Sequence, residues 1–515
     1  LKKNPFKYFF WPAVFFCLIS KAQFYNLPNE YSSSLITEKN LSAKDSSIHA
    51  GVKPYIHFFS PKYQNVNDTF RIFKYVVDDP ALDVVFIKHT INIQPHKQNY
   101  KFTIDPILNV DVGKNYYNGN KRLTSTNGRG FIAAGYIGDK VYFESMFSEN
   151  QSVLPFYVDT FTKATQVVPG QGRTKPFKKN GYDYAFSSAF VSLQPYKTLN
   201  IQLGHGKHKI GNGYRSLLLS DNSFNYPYIR ITQQLLKGRL QYTNIYALLM
   251  NLEPATKIPV PNAERLFQKK AASFQYLSAN PFKFLNIGLF QGMIWRAGDD
   301  KNRQHLDINY FDPVIFVNTA QYGLNNPNNI IVGGDIKIKI TNKINVYGQY
   351  MADNLSNALT IGNGLGWQAG VNLYDLFKVK NLFFQAEYNS VTEGSYISPV
   401  TASTDQSWSH YNQSLAYTPG YGNELILITN YKFRRLFLDL RYYHIDVPSS
   451  KDYFYTRQMV NGRIGFLINP SNNLTVHLGY VYRNQNFPNF KSYDNESTYI
   501  YLGVRTNISN FYYDF

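Results

Sequence analysis

The densest group of chemically capable side chains lies in residues 203–231, where His205, Lys207, His208, Lys209 and Arg215 fall within eleven residues. Gly204, Gly206, Gly211 and Gly213 are interleaved with them. Glycines at this density permit positive φ and close backbone approach, so the segment can fold inward and present cations beside Tyr214 and Tyr226. A phosphate-gripping loop is excluded, because the G-x-x-x-x-G-K-[ST] spacing and its strand–loop–helix setting are absent. A zinc site at His205 and His208 lacks a third ligand nearby. Ser216 and Ser220 have no G-x-S-x-G elbow and no assignable base and acid. Two readings stay open. His205, Lys207, His208, Lys209, Tyr214 and Arg215 form a binding surface for an anionic saccharide, or the segment is a glycine-rich bend whose basic groups pair with enclosed carboxylates such as Glu144, Asp307 or Glu387.

No other grouping makes a better case for catalysis. Asp439 and His444 are an odd number of residues apart, which puts them on opposite faces of a regular strand, and neither Asp446 beside His444 nor Glu424 with His410 completes a triad. The expectation is a protein that binds and does not catalyse, with no metal and no cofactor.

The elements that must position these residues are strands. In 436–443 one face carries Leu436, Leu438, Leu440 and Tyr442, and the other Asp439 and Arg441. The stretch 474–482 repeats this, with Leu474, Val476, Leu478 and Tyr480 opposite Thr475, His477 and Gly479. Leu382, Phe384, Ala386 and Tyr388 alternate with more polar neighbours, as do Ile336, Ile338 and Ile340. Period-two patterns of this kind mark strands with one apolar and one wet face. Between about residue 128 and the end, sixteen to eighteen such segments occur.

The connections alternate in length. Gly138-Asp139, Leu236-Lys237-Gly238 and Thr341-Asn342 are short, whereas 148–180, 351–363, 391–409 and 484–496 are long and rich in Asn, Gly, Ser and Pro. A membrane barrel shows this alternation when one rim faces the periplasm and the other the exterior. The segments 498–505 and 508–515 read as terminal strands ending on Phe515. No later stretch approaches 18 apolar residues, so a helical membrane protein is excluded. At the other end, lysines precede a short apolar core and Ser20 and Ala22 follow it, the pattern of a signal peptide over 1–22. Cleavage there removes Cys17, the single cysteine, and with it thiolate chemistry. Residues 23–100 alternate weakly and read as a small periplasmic or plug element, with one short helix over 33–46, ahead of a barrel over 101–515.

Composition agrees. Charged residues are 17% of the chain, below the roughly quarter usual in soluble domains, while 43 Tyr and 39 Phe accompany only 4 Trp. Tyrosines suit a surface that passes from hydrocarbon to headgroup to water. The net charge of +19, about +15 without the leader's lysines, suits polyanionic partners such as acidic exopolysaccharide and lipid headgroups. Nucleic acid is not expected, since the basic residues are scattered and no reading motif accompanies them.

The central block also resembles a known signature. Leu203-Gly-His-Gly, then Gly211-Asn-Gly-Tyr-Arg-Ser-Leu-Leu-Leu-Ser220, Asp221-Asn222 and Pro227-Tyr228 are similar to the Wzi-like capsule-assembly outer-membrane family, and closely to its RemB branch in Bacteroidota. His49 to Pro54, Asp105 to Asn109 and Asn309 to Ile315 extend the resemblance over most of the chain. The resemblance implies an all-β transmembrane barrel of about 16–18 antiparallel strands with a small N-terminal element. It further implies a cell-surface role in retaining polysaccharide or, in the RemB branch, in adhesion and gliding with gliding-machinery partners. A porin or transporter-like channel is the alternative.

Overall fold

A computed structural model describes residues 31, 35, 38–39, 49–55, 80–95, 99–254, 267–297, 308–322, 328–353, 364–397, 406–448, 454–507 and 509–515. The expected leader over 1–22, most of the expected helix over 33–46, and Asp307 lie outside them. Eighteen strands of the described residues close into one barrel. In chain order they are β1 Tyr100–Tyr117, β2 Asn120–Ile137, β3 Val141–Val153, β4 Gly181–Tyr196, β5 Leu199–Gly206 and β6 Tyr226–Leu235. β7 Leu240–Pro254, β8 Phe267–Phe282, β9 Leu285–Arg296, β10 Asn329–Thr341, β11 Ile344–Asp353 and β12 Leu365–Tyr374 follow. The circuit ends with β13 Leu382–Val391, β14 Gly422–Phe433, β15 Leu436–Val447, β16 Tyr455–Asn469, β17 Leu474–Asn486 and β18 Asn495–Thr506. Every neighbouring pair is antiparallel, and β18 returns to β1 in a register running from Ser497↔Tyr117 to Arg505↔Asn109. Closure leaves no unpaired edge.

Alternation sets which way each side chain points. On β15, Leu436, Leu438 and Leu440 are exposed on the outside, while Asp439 between them faces the lumen at 2% exposure, held by Arg441 and Arg463. Leu203 on β5, Leu478 on β17 and Leu502 on β18 are likewise exposed outward. One rim carries the short connections, among them the turn at Gly138 with φ 61°. The other carries the long ones: 154–180, 207–225, 297–328 and 392–421. Asn118-Gly119 is the exception at that second rim, a two-residue hairpin with both φ positive, as a primed turn requires.

Among the described residues Tyr31, Leu35, Glu38 and Lys39 are helical, and three further short helices are α1 Pro80–Phe86, α2 Phe156–Thr165 and α3 Val317–Tyr322. α1 sits at the short-turn rim, where Arg435 donates to the carbonyl of Phe86 at 3.0 Å and Asn469 to that of Val84 at 3.0 Å. α2 lies at the long-loop rim. From the N-terminal region, Val52–Lys53 enters the lumen and pairs antiparallel with Lys209–Ile210.

One expectation is overturned. Residues 509–515 are not a strand; the barrel closes through β18, and the segment after it turns into the lumen. Tyr512 is buried, and Phe515 packs on Phe161 of α2 with ring centroids 4.3 Å apart. The tail therefore runs from the short-turn rim to the long-loop rim. Its aromatic-rich pattern looks like a strand, but those rings meet other lumen side chains and not lipid.

The segment 308–322 lies on the opposite side of the wall, outside the barrel. Tyr310 stacks on the outward-facing Trp295 at 4.5 Å, and Tyr246 of β7 donates to the carbonyl of Phe311 at 3.0 Å. Ala271, Met293, Trp295 and Ile330 are buried with Tyr310 packed against them.

Candidate functional site

β5 ends at Gly206, and the chain from Lys207 to Asn225 dips into the lumen before β6 begins. Two glycines let it lie against the wall. A Cβ on Gly211, whose φ is 126°, would come within 1.8 Å of the Gln349 amide nitrogen. One on Gly213 would meet Gln368 Oε1 at 2.4 Å and Glu387 Oε2 at 2.5 Å. Inside a lumen a loop's backbone groups need partners as surely as they do in lipid, and the wall supplies them. Glu387 accepts from the backbone N–H groups of Tyr214 at 2.6 Å and Arg215 at 3.0 Å. Gln349 accepts from the Leu217 N–H at 2.9 Å and donates to the Ile210 carbonyl at 3.1 Å; Gln368 donates to the Arg215 carbonyl at 3.2 Å. Asn212 reaches Asp335 at 2.6 Å.

Arg215 is the centre of the charge network. At 1% exposure it bridges Glu424 on β14, at 2.7 Å, and Asp514 of the tail, at 3.1 Å. Burial works against its charge, and Asp514 and Glu424 overcome that and hold the guanidinium firmly protonated. Tyr214 donates to the second oxygen of Asp514 at 2.6 Å and accepts from Tyr443 and Arg441. Asp221, further along the plug, accepts from Asn510 and Tyr512 of the tail. The plug and the tail are thus bound to each other and to the wall. The loop 392–421 adds Trp408, which donates to the Leu218 carbonyl at 3.1 Å, and Tyr396, which donates to that of Leu217 at 2.9 Å.

Lys209 donates to the Tyr214 carbonyl at 2.7 Å, and Lys207 to the carbonyls of Gly170 and Ser223 at 3.4 and 3.3 Å. Burial pushes both ammonium groups down to about 8; Asp221 opposes this for each, and Lys53 adds repulsion at Lys209. His208 stands edge-on to Tyr228 at 4.3 Å, and burial holds it neutral.

Five of the six residues read as a saccharide surface come together turned inward, whereas His205 lies on the face of β5 that carries the outward Leu203. Lys207, His208, Lys209, Tyr214 and Arg215 are all buried; His205, on β5, is half-buried against Phe224. Lys207 and Lys209 donate to carbonyls of the same chain, and Arg215 pairs with its carboxylates. The bend reading names the right kind of partner and two wrong residues. Glu387 takes backbone N–H groups, Glu144 is hydrogen-bonded by Tyr142 at 3.1 Å, and the ion pairs go to Glu424 and Asp514. Ser216 accepts from the N–H groups of Leu218 and Leu219 and donates to the Ile210 carbonyl, which makes it a turn-forming hydroxyl. Among the described residues no three His, Cys, Asp or Glu side chains converge as metal ligands. Gln349, Gln368, Asp221 and Asp514 were missed; the one sequence signal for the glutamines is their place on the wet face of alternating segments.

Comparison with known proteins places this architecture. The family described as capsule assembly protein Wzi matches residues 93–431. Among solved structures the chain is similar to Wzi from Escherichia coli, an outer-membrane protein involved in group 1 capsule assembly and described as a carbohydrate-binding β-barrel, at 12% identity, 78% of this chain, 85% of that one and a TM-score of 0.49. It is also similar to OpdL of Pseudomonas aeruginosa, at 10% identity over 78% and 98% of the two chains with a TM-score of 0.43. OccAB2 of Acinetobacter baumannii gives 11% over 77% and 97%, with a TM-score of 0.42. No curated protein sequence matches. A family match over about two thirds of the chain, spanning β1 to β14 and the whole plug, is decisive: the chain belongs to the Wzi family of capsule assembly proteins.

Proposed function

We propose that this protein sits in the outer membrane and assembles or retains surface polysaccharide by binding it. The exposed outward leucines, isoleucines and phenylalanines of a closed barrel suit hydrocarbon, and the family is one of capsule assembly. The observation that carries the reading is the occupied lumen. Arg215, bridged to Glu424 and Asp514, ties plug, wall and tail together where a porin would hold water. A lumen occupied in this way leaves the rim and loops as the surface to meet a polymer. Lys207, His208, Lys209, Tyr214 and Arg215 then serve as anchors of the plug. The net charge of +19 draws acidic exopolysaccharide and anionic lipid headgroups toward the protein. A part in gliding, with partners from the gliding machinery, rests on the resemblance to the RemB branch alone.

Removing the protein from its host should shift surface polysaccharide from the cell-bound to the released fraction, and the purified barrel in detergent should co-sediment with that polymer. Unchanged retention together with no co-sedimentation would contradict the proposal.

A further inference from the structure

The two rims of the barrel differ in charge. Eight short connections join strands at one rim, and seven of them carry a lysine or arginine. Lys197, Lys237, Arg239, Lys283, Lys378 and Lys380 are all exposed there. The same connections hold two carboxylates. Asp375 is taken by Lys39 at 2.6 Å and faces Lys343 at 3.8 Å, and Asp139 accepts from Asn99. At the long-loop rim the two signs are mixed. Asp159 takes both Arg122 and Lys163, and Glu253, Glu393 and Glu496 are exposed. Like charges repel, so a nearly one-signed ring calls for counter-charge from outside the chain.

Most of these cations follow an exposed apolar residue. Tyr196 precedes Lys197, Leu236 precedes Lys237, and Phe377 and Val379 precede Lys378 and Lys380. Lys283 stands between Phe282 and Phe284, whose rings stack at 5.5 Å. Two of the apolar residues sit on backbone that large side chains avoid. Leu236 has φ 49° and Phe377 φ 53°, in the left-handed region, yet their side chains are 68% and 84% exposed. Packing inside the chain does not account for turns that hold such groups outward. A leaflet boundary does, because it takes apolar side chains and ammonium groups one above the other. Neighbouring strands lie about 4.8 Å apart, so successive turns are spaced by about 10 Å and each meets its own headgroup.

We propose that the short-turn rim is a collar for anionic phospholipid, its cations on headgroup phosphates and their apolar neighbours at the acyl boundary. The proposal rests on the reading that the barrel lies in a membrane, and adds to it a lipid class and a side. A zwitterionic headgroup brings its own ammonium and leaves the ring's charge uncompensated. A soluble acidic protein would supply the charge but leave Tyr196, Leu236, Phe282 and Phe377 in water.

The test reconstitutes the full chain into vesicles of equal phosphatidylglycerol and phosphatidylcholine, extracts it in mild detergent, and quantifies the retained lipid by mass spectrometry. Phosphatidylglycerol should be enriched about threefold or more over the bulk at low salt, and less at about 1 M salt, where charges are screened beyond about 3 Å. Lys197→Gln, Lys237→Gln, Lys283→Gln and Lys378→Gln, combined, should remove most of the enrichment. Lys163→Gln, Lys175→Gln, Lys178→Gln and Lys179→Gln change the net charge equally at the other rim and should leave it intact. Folding is read from heat-modifiable mobility, and if the first set fails to fold, the native protein at low and high salt decides alone. Inserted native protein that retains the two lipids in bulk proportion would overturn the proposal, and so would equal losses in the two sets. Retention of soluble polyglutamate in place of phosphatidylglycerol would assign the ring to an acidic protein and overturn it too. Native protein that does not enter vesicles would overturn the membrane reading, and the proposal with it.

Discussion

Two segments leave the same rim and meet opposite surroundings. The plug at 207–225 goes inside; the segment 308–322 goes outside and lies on the wall of β7, β8 and β9. Each lies outside the barrel's ladder of strand pairs, and each must find partners for the amides and carbonyls its own turns and helices leave free. Inside, the wall answers with charge: Glu387, Asp335, Glu424 and the tail's Asp514. Outside, it answers with neutral groups. Gln275 donates to the Asp312 carbonyl at 2.6 Å, Tyr242 donates to that of Pro313, and Gln291 accepts from Thr319 at 2.7 Å. Asn244, Gln275 and Gln291 stand side by side on adjacent strands, a polar row in mid-wall, while Ile287 and Leu289 on β9 remain exposed. In hydrocarbon an uncovered row of amides is costly, and the outer segment covers it. The contrast lies in what the wall supplies: carboxylates, some of them in ion pairs, on the inside, and amides and a phenol on the outside.

Breaking the inner arrangement should have the largest effect. Arg215→Ala leaves Glu424 and Asp514 buried without their cation and should lower unfolding free energy in detergent by about 3–5 kcal/mol. Arg215→Lys should recover only part of this, since one ammonium cannot reproduce the fork to two carboxylates. Gly213→Ala presses a methyl into Gln368 and Glu387; about 1–3 kcal/mol of destabilisation is expected from urea titration. The outer segment should be less sensitive. Gln275→Leu removes the donor to Asp312 but adds apolar surface, with a net loss of about 1–2 kcal/mol. A tryptophan introduced by Val314→Trp should be quenched by lipids brominated in the acyl chain; quenching by headgroup-labelled lipid only would place the segment outside the hydrocarbon.

A separate effect is with pH. Lys207 and Lys209 are held down to about 8 in the folded protein against an ordinary 10.5. Between those values the unfolded chain binds more protons, so stability should rise with pH across that window and be flat for these groups below it. Replacing both lysines by Met should flatten the rise, as followed by thermal unfolding in detergent.

Strands were legible because outside and inside differ so sharply: Leu436, Leu438 and Leu440 against Asp439 needs no context to be read. The short and long connections were legible for the same reason, each written in turn residues. The plug announced itself by glycines and cations, yet its partners did not. Glu424 lies 209 residues from Arg215 and Asp514 lies 299 away, and nothing local marks either. The tail was misread since Phe511, Tyr512, Tyr513 and Phe515 give the same pattern whether they meet lipid or a packed lumen. Residues 309–315 were recognisable by resemblance, but their place on the outer wall depends on Gln275 and Gln291, whose outward direction requires the register of β8 on β9.

The central claim, a barrel whose lumen is held shut by the Arg215 bridge, is tested most directly by conductance in planar bilayers. The native protein should insert and stay silent, and Arg215→Ala should show fluctuating openings. Steady porin-sized currents through the native protein would contradict the account.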